Sequence, residues 1–353
     1  MPVKTILVLS ILTLTSVFST ADLSAQTRKK VGAILVLSSD WGEWGLNCQR
    51  AISLALKKER NIDLIIESSE SAKPKNALLA MNKLVSLDKV DLILGPMSPE
   101  EYAAIAPLAE KKNIPIISFV SSTYKSPGSI LIWVDPEYEM EVLAQYARKS
   151  SSKIAILSSD MEWETRGAQA FAKEFKRLGG IVSVVEEPST SSQDVSSEVL
   201  RVKKSGADSV FISSYLLYSH YQKELSQQGF RGVRFGVELD ASAISLAGAS
   251  GEGTIFISPL SGESNFKDDF KSVYNSEPNM PAAQCYDAAM IGAQFLNQKE
   301  SNYSSFLTLA KELKRYIGVS GTIEFKDGHV MTDTALWKVE DGTPKLLETF
   351  KIK

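Results

Sequence analysis

The sequence predicts an α/β protein built from two similar lobes. Three observations indicate this fold: short runs of valine, isoleucine and leucine recur along the chain, a segment with helical spacing of apolar residues follows each run, and this alternation restarts near the middle. Strands that are apolar at every position are typical of a parallel sheet covered by helices on both faces. The length of 353 residues allows about two domains of ordinary size.

The two series of predicted elements are separated by Trp133-Val134-Asp135-Pro136. The first series has strands at 31–37, 64–66, 90–94 and 114–118, and helices at 44–58, 76–87 and 99–112. The second has helices at 137–149, 164–178, 192–204 and 217–228, and strands at 153–157, 181–185, 209–213 and 233–237. Neither series is followed by a long flexible linker, so we expect closely packed lobes joined by several short crossings.

The last third of the chain is less regular. Apolar periodicity predicts helices at 266–275, 282–297 and 304–316. A strand-turn-strand is predicted from Thr322 to Val339, with Lys326-Asp327-Gly328 as turn residues.

Composition excludes some classes of partner. The net charge is −3 and 44% of the residues are hydrophobic, which is ordinary for a globular protein. A near-neutral chain offers no electrostatic case for binding nucleic acid or an anionic membrane surface. We therefore expect neither as a partner.

The N-terminal segment has the pattern of a secretory signal peptide. Lys4 precedes an apolar run from Ile6 to Phe18, and Ser19-Thr20-Ala21 supplies small residues for cleavage, with Ser24-Ala25 as a second candidate. The run is shorter than the roughly 20 residues of a membrane span. No cysteine follows it for lipid attachment. We expect residues 1–25 to be removed, and the mature protein to diffuse freely in a periplasm.

The sequence contains two cysteines, Cys48 and Cys285. Export makes a disulfide chemically possible. Each cysteine also lies in a predicted amphipathic helix, where it can serve as a small apolar side chain. Their separation in space cannot be read from the sequence, so their pairing stays open.

Catalytic and metal-binding motifs are missing from the sequence. The segments 248–251 and 318–321 are each one residue short of Gly-x-Ser-x-Gly, and neither a phosphate loop nor a dinucleotide fingerprint is present. The two histidines, His220 and His329, lack metal-ligand spacing. We expect no catalytic residues, no metal and no cofactor.

Several blocks, in order along the chain, resemble the type I periplasmic binding proteins, and specifically the leucine/isoleucine/valine-binding family of ABC transporters. The resemblance covers roughly residues 30–350 and is strongest in the last third. The blocks are Lys83-Leu84-Val85, Asp91 with Gly95-Pro96, Ala106-Pro107-Leu108-Ala109-Glu110, Ile114-Pro115-Ile116-Ile117-Ser118, Phe266 to Tyr274, Cys285-Tyr286-Asp287-Ala288-Ala289, and Gly318 to Phe325 with Asp327-Gly328.

The resemblance implies two Rossmann-like lobes with parallel-type sheets, joined by three crossings and closing on a ligand. Lobe I would comprise residues 26–132 and 259–334, and lobe II residues 133–258 and 335–353. It further implies capture of a small polar ligand, for which we expect an amino acid, and its delivery to an ABC permease in the inner membrane. We expect the protein to be a monomer. The ligand would lie in the cleft at the carboxyl ends of the strands, as in open α/β sheets generally.

Ligand-binding residues with polar side chains follow from the same resemblance. A buried amino acid needs donors for its carboxylate and an acceptor for its ammonium. Ser121 and Ser122 follow the strand at 114–118, where the family binds the carboxylate. Ser98 is a further candidate, although Pro99 occupies the directly matching place.

Glu238 follows the strand at 233–237 and matches the family position of the acid that meets the ammonium. Asp240 is its rival, and an exposed loop acid is the alternative reading of either residue.

Aromatic walls are the third part of the expected site. Trp41 follows the first strand, where the family places an aromatic residue, and Trp44 is its rival. Trp163 and Tyr215 match aromatic positions of the second lobe, with Tyr218 as the alternative to Tyr215. Aromatic residues at strand ends can equally belong to the core or the rim.

Two departures from the family pattern affect the choice of ligand. Glu164 follows Trp163 where the family usually has glycine after tyrosine, and the segment 57–63 lacks a common glycine-rich insertion. Extra tryptophan would favour a smaller pocket or stacking on a flat ligand. The alternative function is a ligand-sensing receptor partner of the same fold that binds an amide or an aromatic acid, and an enzyme is the third hypothesis.

Overall fold

The computed structural model describes residues 28–352, apart from positions 193, 261 and 263. The predicted signal peptide lies outside these residues. No helix within 28–352 combines the length and the apolar character that a membrane crossing requires.

Strands and helices alternate along the described chain. The strands are β1 (Lys29–Leu35), β2 (Ile62–Ser68), β3 (Leu92–Leu94), β4 (Ile116–Ser118), β5 (Ser129–Leu131), β6 (Lys153–Leu157), β7 (Ile181–Glu186), β8 (Ser209–Ile212), β9 (Val233–Val237), β10 (Ile255–Pro259), β11 (Arg315–Gly318), β12 (Gly321–Lys326), β13 (His329–Thr332), β14 (Thr334–Glu340) and β15 (Thr343–Phe350). The helices are α1 (Gly42–Leu56), α2 (Pro74–Lys83), α3 (Pro99–Lys112), α4 (Pro136–Ala147), α5 (Glu162–Arg177), α6 (Ser196–Lys204), α7 (Tyr218–Gln227), α8 (Ala241–Ala247), α9 (Ser264–Tyr274), α10 (Ala282–Leu296) and α11 (Tyr303–Glu312).

The first sheet is parallel, with strand order β2-β1-β3-β4-β5. Helices cover both of its faces: α1 and α10 share one apolar cluster with β1 and β3, and α2 and α3 share another. Apart from Lys29, Lys30 and Ser118 at their ends, the central strands β1, β3 and β4 carry no polar side chains, because they have no face toward water.

The second sheet has seven strands in the order β15-β14-β10-β9-β8-β6-β7. The strands from β6 to β10 are parallel, whereas β14 and β15 add an antiparallel edge to β10. Apolar clusters again lie on both faces, one with α4 and α5 and the other with α6, α7 and α8.

The chain crosses between the two lobes three times: from β5 to α4, from β10 to α9, and from β13 to β14. Each crossing is only a few residues long. A small three-stranded sheet, β11-β12-β13, precedes the last crossing.

Cys48 and Cys285 form a disulfide in this structure, with Cα atoms 5.2 Å apart. Both side chains are fully buried. Cys48 lies on α1 and Cys285 on α10, so the bond links the N-terminal series to the last third of the chain, 237 residues away. The sequence had left this pairing open.

Some predicted boundaries differ from the structure. The helix expected at 304–316 ends at Glu312, because the following residues form β11 and pair with β12. Gly318 at the end of β11 lies against Asp287: a Cβ there would be 2.2 Å from its Oδ1 atom. Asp287 in turn accepts hydrogen bonds from the Val319 and Ser320 N–H groups, at 2.9 Å each, so α10 holds this turn in place.

Candidate functional site

A cavity of about 60 Å³ lies where the loops at the carboxyl ends of both sheets meet. It is smaller than the 150 Å³ cavity known to accommodate benzene, so a ring-sized or leucine-sized ligand requires its walls to move. The lining residues are Trp41, Trp44, Met97, Ser98, Pro99, Phe119, Val120, Ser121, Trp133, Met161, Trp163, Glu164, Tyr215, Val237 and Glu238.

Six of the seven predicted site residues line this cavity, and Ser122 does not. The six are Trp41, Ser98, Ser121, Trp163, Tyr215 and Glu238. They follow the carboxyl ends of β1, β3, β4, β6, β8 and β9, and Trp163 among them lies in the first turn of α5. These separate segments lie together because the carboxyl ends of parallel strands meet at one edge of each sheet, which is where open α/β sheets bind ligands.

An aromatic wall, formed by Trp41, Trp44, Trp133, Trp163 and Tyr215, accounts for much of the lining. The Trp41 and Tyr215 rings stack with centroids 5.2 Å apart, and the Trp44 ring meets each of them edge-on at 5.3 Å. Trp41 and Trp44 belong to the first lobe and Tyr215 to the second. Aromatic groups therefore touch across the cleft.

Trp44, the rival of Trp41, is thus part of the same wall. Tyr218, the alternative to Tyr215, instead lies fully buried in the core of the second lobe, on α7. The indole N–H of Trp163 is buried and has no hydrogen-bond partner among the described residues. It is a donor that a ligand could use.

Glu238 is buried, with 5% of its surface exposed. Its backbone has a φ of +50°, a left-handed conformation uncommon for residues other than glycine. The N–H of Glu238 donates to the Ile257 carbonyl at 2.7 Å, and its Oε1 accepts from Trp133 Nε1 at 2.8 Å. Burial raises the pKa of this carboxyl to about 8.

Glu139 on α4 is the polar neighbour of Glu238. Its side chain is fully buried, and no N–H or hydroxyl among the described residues donates to either of its carboxyl oxygens. Burial, and then the adjacent Glu238, raise the pKa of Glu139 well above its usual range. Glu139 itself does not line the cavity.

Asp240, the rival of Glu238, does not line the cavity. Its Oδ1 accepts from the Ala243 N–H at 2.8 Å and caps α8. Its Oδ2 accepts from Trp44 Nε1 at 2.8 Å, Tyr215 Oη at 3.0 Å and Asn279 Nδ2 at 3.4 Å. Its place is between the lobes, behind the aromatic wall.

The three predicted serines differ in what their hydroxyls contact. Ser98 caps α3 in a reciprocal pair with Glu101, whose N–H donates to the Ser98 hydroxyl at 3.2 Å. Ser121 donates to Asp135, a residue of the first crossing. Ser122 accepts from the Tyr124 N–H at 3.2 Å and is not part of the cavity lining.

Glu164, which stands where the family usually has glycine, lines the cavity but is already held by donors. Its carboxyl accepts from the Ser159 hydroxyl and from the Tyr215 N–H, the latter at 2.8 Å. Burial raises its pKa to about 6. Among the described lining residues there is no lysine, arginine or histidine, so the charged groups of the cavity are carboxyls.

Asp135 anchors a polar network at the first crossing. Its Oδ2 accepts from the Val330 N–H and faces His329 Nδ1, both at 3.0 Å. Arg166 on α5 pairs with Glu137 at 3.0 Å and donates to the Ser121 hydroxyl at 3.3 Å. The network connects a cavity loop of the first lobe to a helix of the second.

Sequence reasoning missed Trp133 and Glu139. Trp133 lies in the crossing segment, and its position directly before Val134-Asp135-Pro136 was the available signal. Glu139 offered none, since an acid in an amphipathic helix usually faces water.

Comparisons with known proteins agree with this geometry. The model of the family described as periplasmic binding protein matches residues 29–344, which is most of the chain. No curated protein sequence matches the chain.

Solved structures share the fold at low sequence identity. The leucine-binding protein LivK of Thermotoga maritima is 19% identical, with a TM-score of 0.82 over 92% of this chain and 99% of that one. LivJ of Streptococcus pneumoniae, in complex with isoleucine, is 20% identical, with a TM-score of 0.79 over 92% and 100%. A solute-binding protein of Rhodopseudomonas palustris HaA2, in complex with p-hydroxybenzoic acid, is 20% identical, with a TM-score of 0.82 over 92% and 97%.

The two mainly parallel sheets, the three crossings and the cleft define a two-lobed binding protein. The chain belongs to the periplasmic binding protein family. The fold class and the family expected from the sequence, type I periplasmic binding proteins, are confirmed.

Proposed function

We propose that this protein is the extracytoplasmic substrate-binding protein of an ABC transporter and that it captures an amino acid between its lobes. The observation that carries the proposal is the cavity itself: loops of both sheets line it, and a buried acid, Glu238, faces it from the second lobe. A site shared by two lobes is completed only when they close, which suits capture and release.

Each predicted residue has a role in this proposal. Glu238 accepts the ligand ammonium, and Trp41, Trp163 and Tyr215 enclose its side chain. The carboxylate is met from the first lobe by the loop that contains Ser121, with Ser98 beside it. Ser122 is outside the lining, so we assign it at most a role after the cleft rearranges.

Closure would proceed by rotation about the three crossings. The small cavity supports this motion, because a ligand of amino-acid size does not enter the described conformation unless the lobes part. The proposed lobe boundaries are those predicted from the sequence, at 132/133, 258/259 and 334/335. The closed complex would then dock on an inner-membrane permease.

The remaining parts of the proposal follow from the family and the sequence. We propose that the protein is exported to the periplasm by a cleaved signal peptide, works as a monomer, and has neither catalytic activity nor a cofactor. Nucleic acid is not a partner.

A second candidate is a ligand-sensing receptor partner that binds an amide or an aromatic acid. The aromatic wall favours it, because flat ligands stack well on tryptophan, and a p-hydroxybenzoic acid complex is known among the related folds. Neighbouring genes distinguish the two: permease and ATPase genes support transport, whereas a kinase gene supports sensing.

The direct test is isothermal titration of the mature protein against all common amino acids and a set of amides and aromatic acids. Mass spectrometry of ligand released from the purified protein would run in parallel. Micromolar or tighter binding of an amino acid supports the proposal. Binding of an aromatic acid alone would favour the ligand-sensing receptor partner. No binding of any compound would contradict both candidate functions.

A further inference from the structure

A second cavity, of about 240 Å³, lies within the first lobe and shares no lining residue with the cavity between the lobes. Its lining comes from the segments 102–131 and 310–330, so α3, β5, the end of α11 and the β12-β13 hairpin meet around it. It is larger than the cavity of about 150 Å³ known to hold benzene. A ligand the size of a ring therefore fits without any movement of one lobe against the other.

Three lysines line this second cavity, which we call the lysine cavity: Lys125, Lys311 and Lys314. All three are exposed, and none of their ammonium groups forms an ion pair or a hydrogen bond within the part of the chain that the structure describes. Asp327 is the one acid in the described lining. At neutral pH the lining therefore carries an excess of two positive charges, which attracts an anion into the concave surface.

Hydroxyl groups belong to the same lining. The buried Tyr102 Oη accepts from the Ser126 N–H at 3.2 Å, and the Ser126 hydroxyl donates to Glu110, an acid outside the lining, at 3.3 Å. Ser129 Oγ adjoins the Tyr102 hydroxyl, is buried, and has no partner at hydrogen-bond distance among the described residues. A buried hydroxyl without a partner is uncommon in folded proteins, so Ser129 is an unused donor beside the lysines.

Apolar side chains form much of the remaining lining: Ile130, Leu131, Leu313, Phe325 and Val330. A bare inorganic anion would leave this apolar surface uncovered. An occupant that uses the whole lining carries its charge at one end and an apolar group at the other, because apolar surface is stabilised when it is removed from water.

We propose that the lysine cavity binds a small phosphate monoester with an apolar organic group. A phosphate monoester has a charge of about −1.5 to −2 at pH 7 and three strong acceptor oxygens. The charge matches the excess of two positive charges, and the oxygens match the lysine ammonium groups and the Ser129 hydroxyl. Lysine binds phosphate as a point charge, so its flexible side chain suits this role.

The inference does not rest on the proposed function, because it concerns a separate site. The cavity between the lobes does not offer the same anion a comparable place, since the charged groups of its described lining are carboxyls. Binding in the lysine cavity should therefore be independent of whatever ligand occupies the cleft.

The test is isothermal titration of the whole mature protein with phenyl phosphate and with inorganic phosphate. We expect phenyl phosphate to bind with a Kd below about 1 mM. It should bind about ten times more tightly than inorganic phosphate, because the ring covers apolar surface. Affinity should fall as ionic strength rises from about 0.01 to 0.15 M, since the screening length shortens from about 30 to 8 Å.

Two double variants and one single variant locate the site. Lys311→Gln with Lys314→Gln should weaken phenyl phosphate binding by about two orders of magnitude, since each hydrogen bond to a charged group contributes about tenfold or more. Lys173→Gln with Lys223→Gln is the matched control: it removes the same charge from exposed positions on α5 and α7, outside the lining, and should change affinity less than about twofold. Ser129→Ala should weaken binding about fivefold. Circular dichroism checks that each variant folds.

Each contrary outcome overturns the inference. Absence of phenyl phosphate binding up to about 10 mM would show that the lysine cavity is not a site for this class of ligand. Equal weakening in the two double variants would show only a general attraction to positive charge. Equal affinity for phenyl phosphate and inorganic phosphate would rule out a role for the apolar lining. All these results leave the proposed function standing, because no residue of the cleft is changed.

Discussion

The indole nitrogen of Trp44 and the carboxylate of Asp240 lie 2.8 Å apart and join the two lobes by a buried hydrogen bond. Trp44 is on α1 of the first lobe, and Asp240 caps α8 of the second. Asn279 of the first lobe donates to the same carboxylate oxygen at 3.4 Å. This contact joins the lobes behind the aromatic wall.

Trp44→Phe should shift the equilibrium toward an open cleft, because it keeps an aromatic ring but removes the donor. A hydrogen bond to a charged group contributes about 1.5–3 kcal/mol, so the ratio of closed to open protein should fall by about one to two orders of magnitude. Small-angle X-ray scattering measures the change as a larger radius of gyration. Trp337→Phe is the matched control, since the Trp337 indole N–H has no partner among the described residues. An unchanged radius in Trp44→Phe would show that this bond does not hold the lobes together.

Replacing Cys48 and Cys285 together by alanine should lower the free energy of unfolding by about 2–5 kcal/mol. The disulfide closes a segment of 237 residues and so restricts the unfolded chain strongly. Urea denaturation measures the loss. The unmodified protein denatured in the presence of a reducing agent is the control and should match the double variant. Equal stability of the oxidised protein and the double variant would contradict a stabilising role.

Ser98→Ala should cost about 1 kcal/mol of stability, because it removes the cap of α3. Asn302→Ala is the matched control: Asn302 caps α11 with the same reciprocal pattern but lies far from the cavity lining. Thermal denaturation should show similar losses for both. If Ser98 also contacts the ligand, titration will show weaker binding in Ser98→Ala alone. Equal binding in the two variants would limit Ser98 to capping.

Stability should decrease as the pH rises from about 5 to 8. Burial raises the pKa of Glu101 to about 7 and those of Glu164 and Asp287 to about 6. With these raised carboxyl pKa values, the folded protein binds more protons than the unfolded chain in this pH range. The resulting stabilisation is fully present below the pKa values of the unfolded chain and is lost as the groups ionise in the folded protein. Urea denaturation at pH 5, 6.5 and 8 measures the trend.

Glu101→Gln should flatten the upper part of that profile, since it removes the group that titrates near pH 7. Stability that rises from pH 5 to 8 would contradict the assignment of these acids as protonated in the folded protein.

The sequence predicted the fold well because the signals for it are local. The apolar runs around Val31, Ile93 and Ile156 are buried on both faces, so their strand character did not depend on distant residues. Site positions at strand ends could be predicted for the same reason, since the topology fixes where parallel strands end.

The parts that could not be predicted depend on packing between distant segments. Glu139 is buried because α4 packs against the second sheet, and Cys48 meets Cys285 only because α1 packs on α10. The helix predicted at 304–316 was too long for a related reason, because the pairing of β11 with β12 decides the conformation of residues after 312. None of these contacts leaves a periodic pattern in the sequence.

The aromatic wall also gives the protein a built-in optical reporter. The chain has five tryptophans, and four of them, Trp41, Trp44, Trp133 and Trp163, line the cavity. Four of the five indoles therefore report on the cavity, and they lie on both sides of the cleft. Ligand entry and lobe closure can be followed in real time by intrinsic fluorescence, without any label, while Trp337 supplies a constant background.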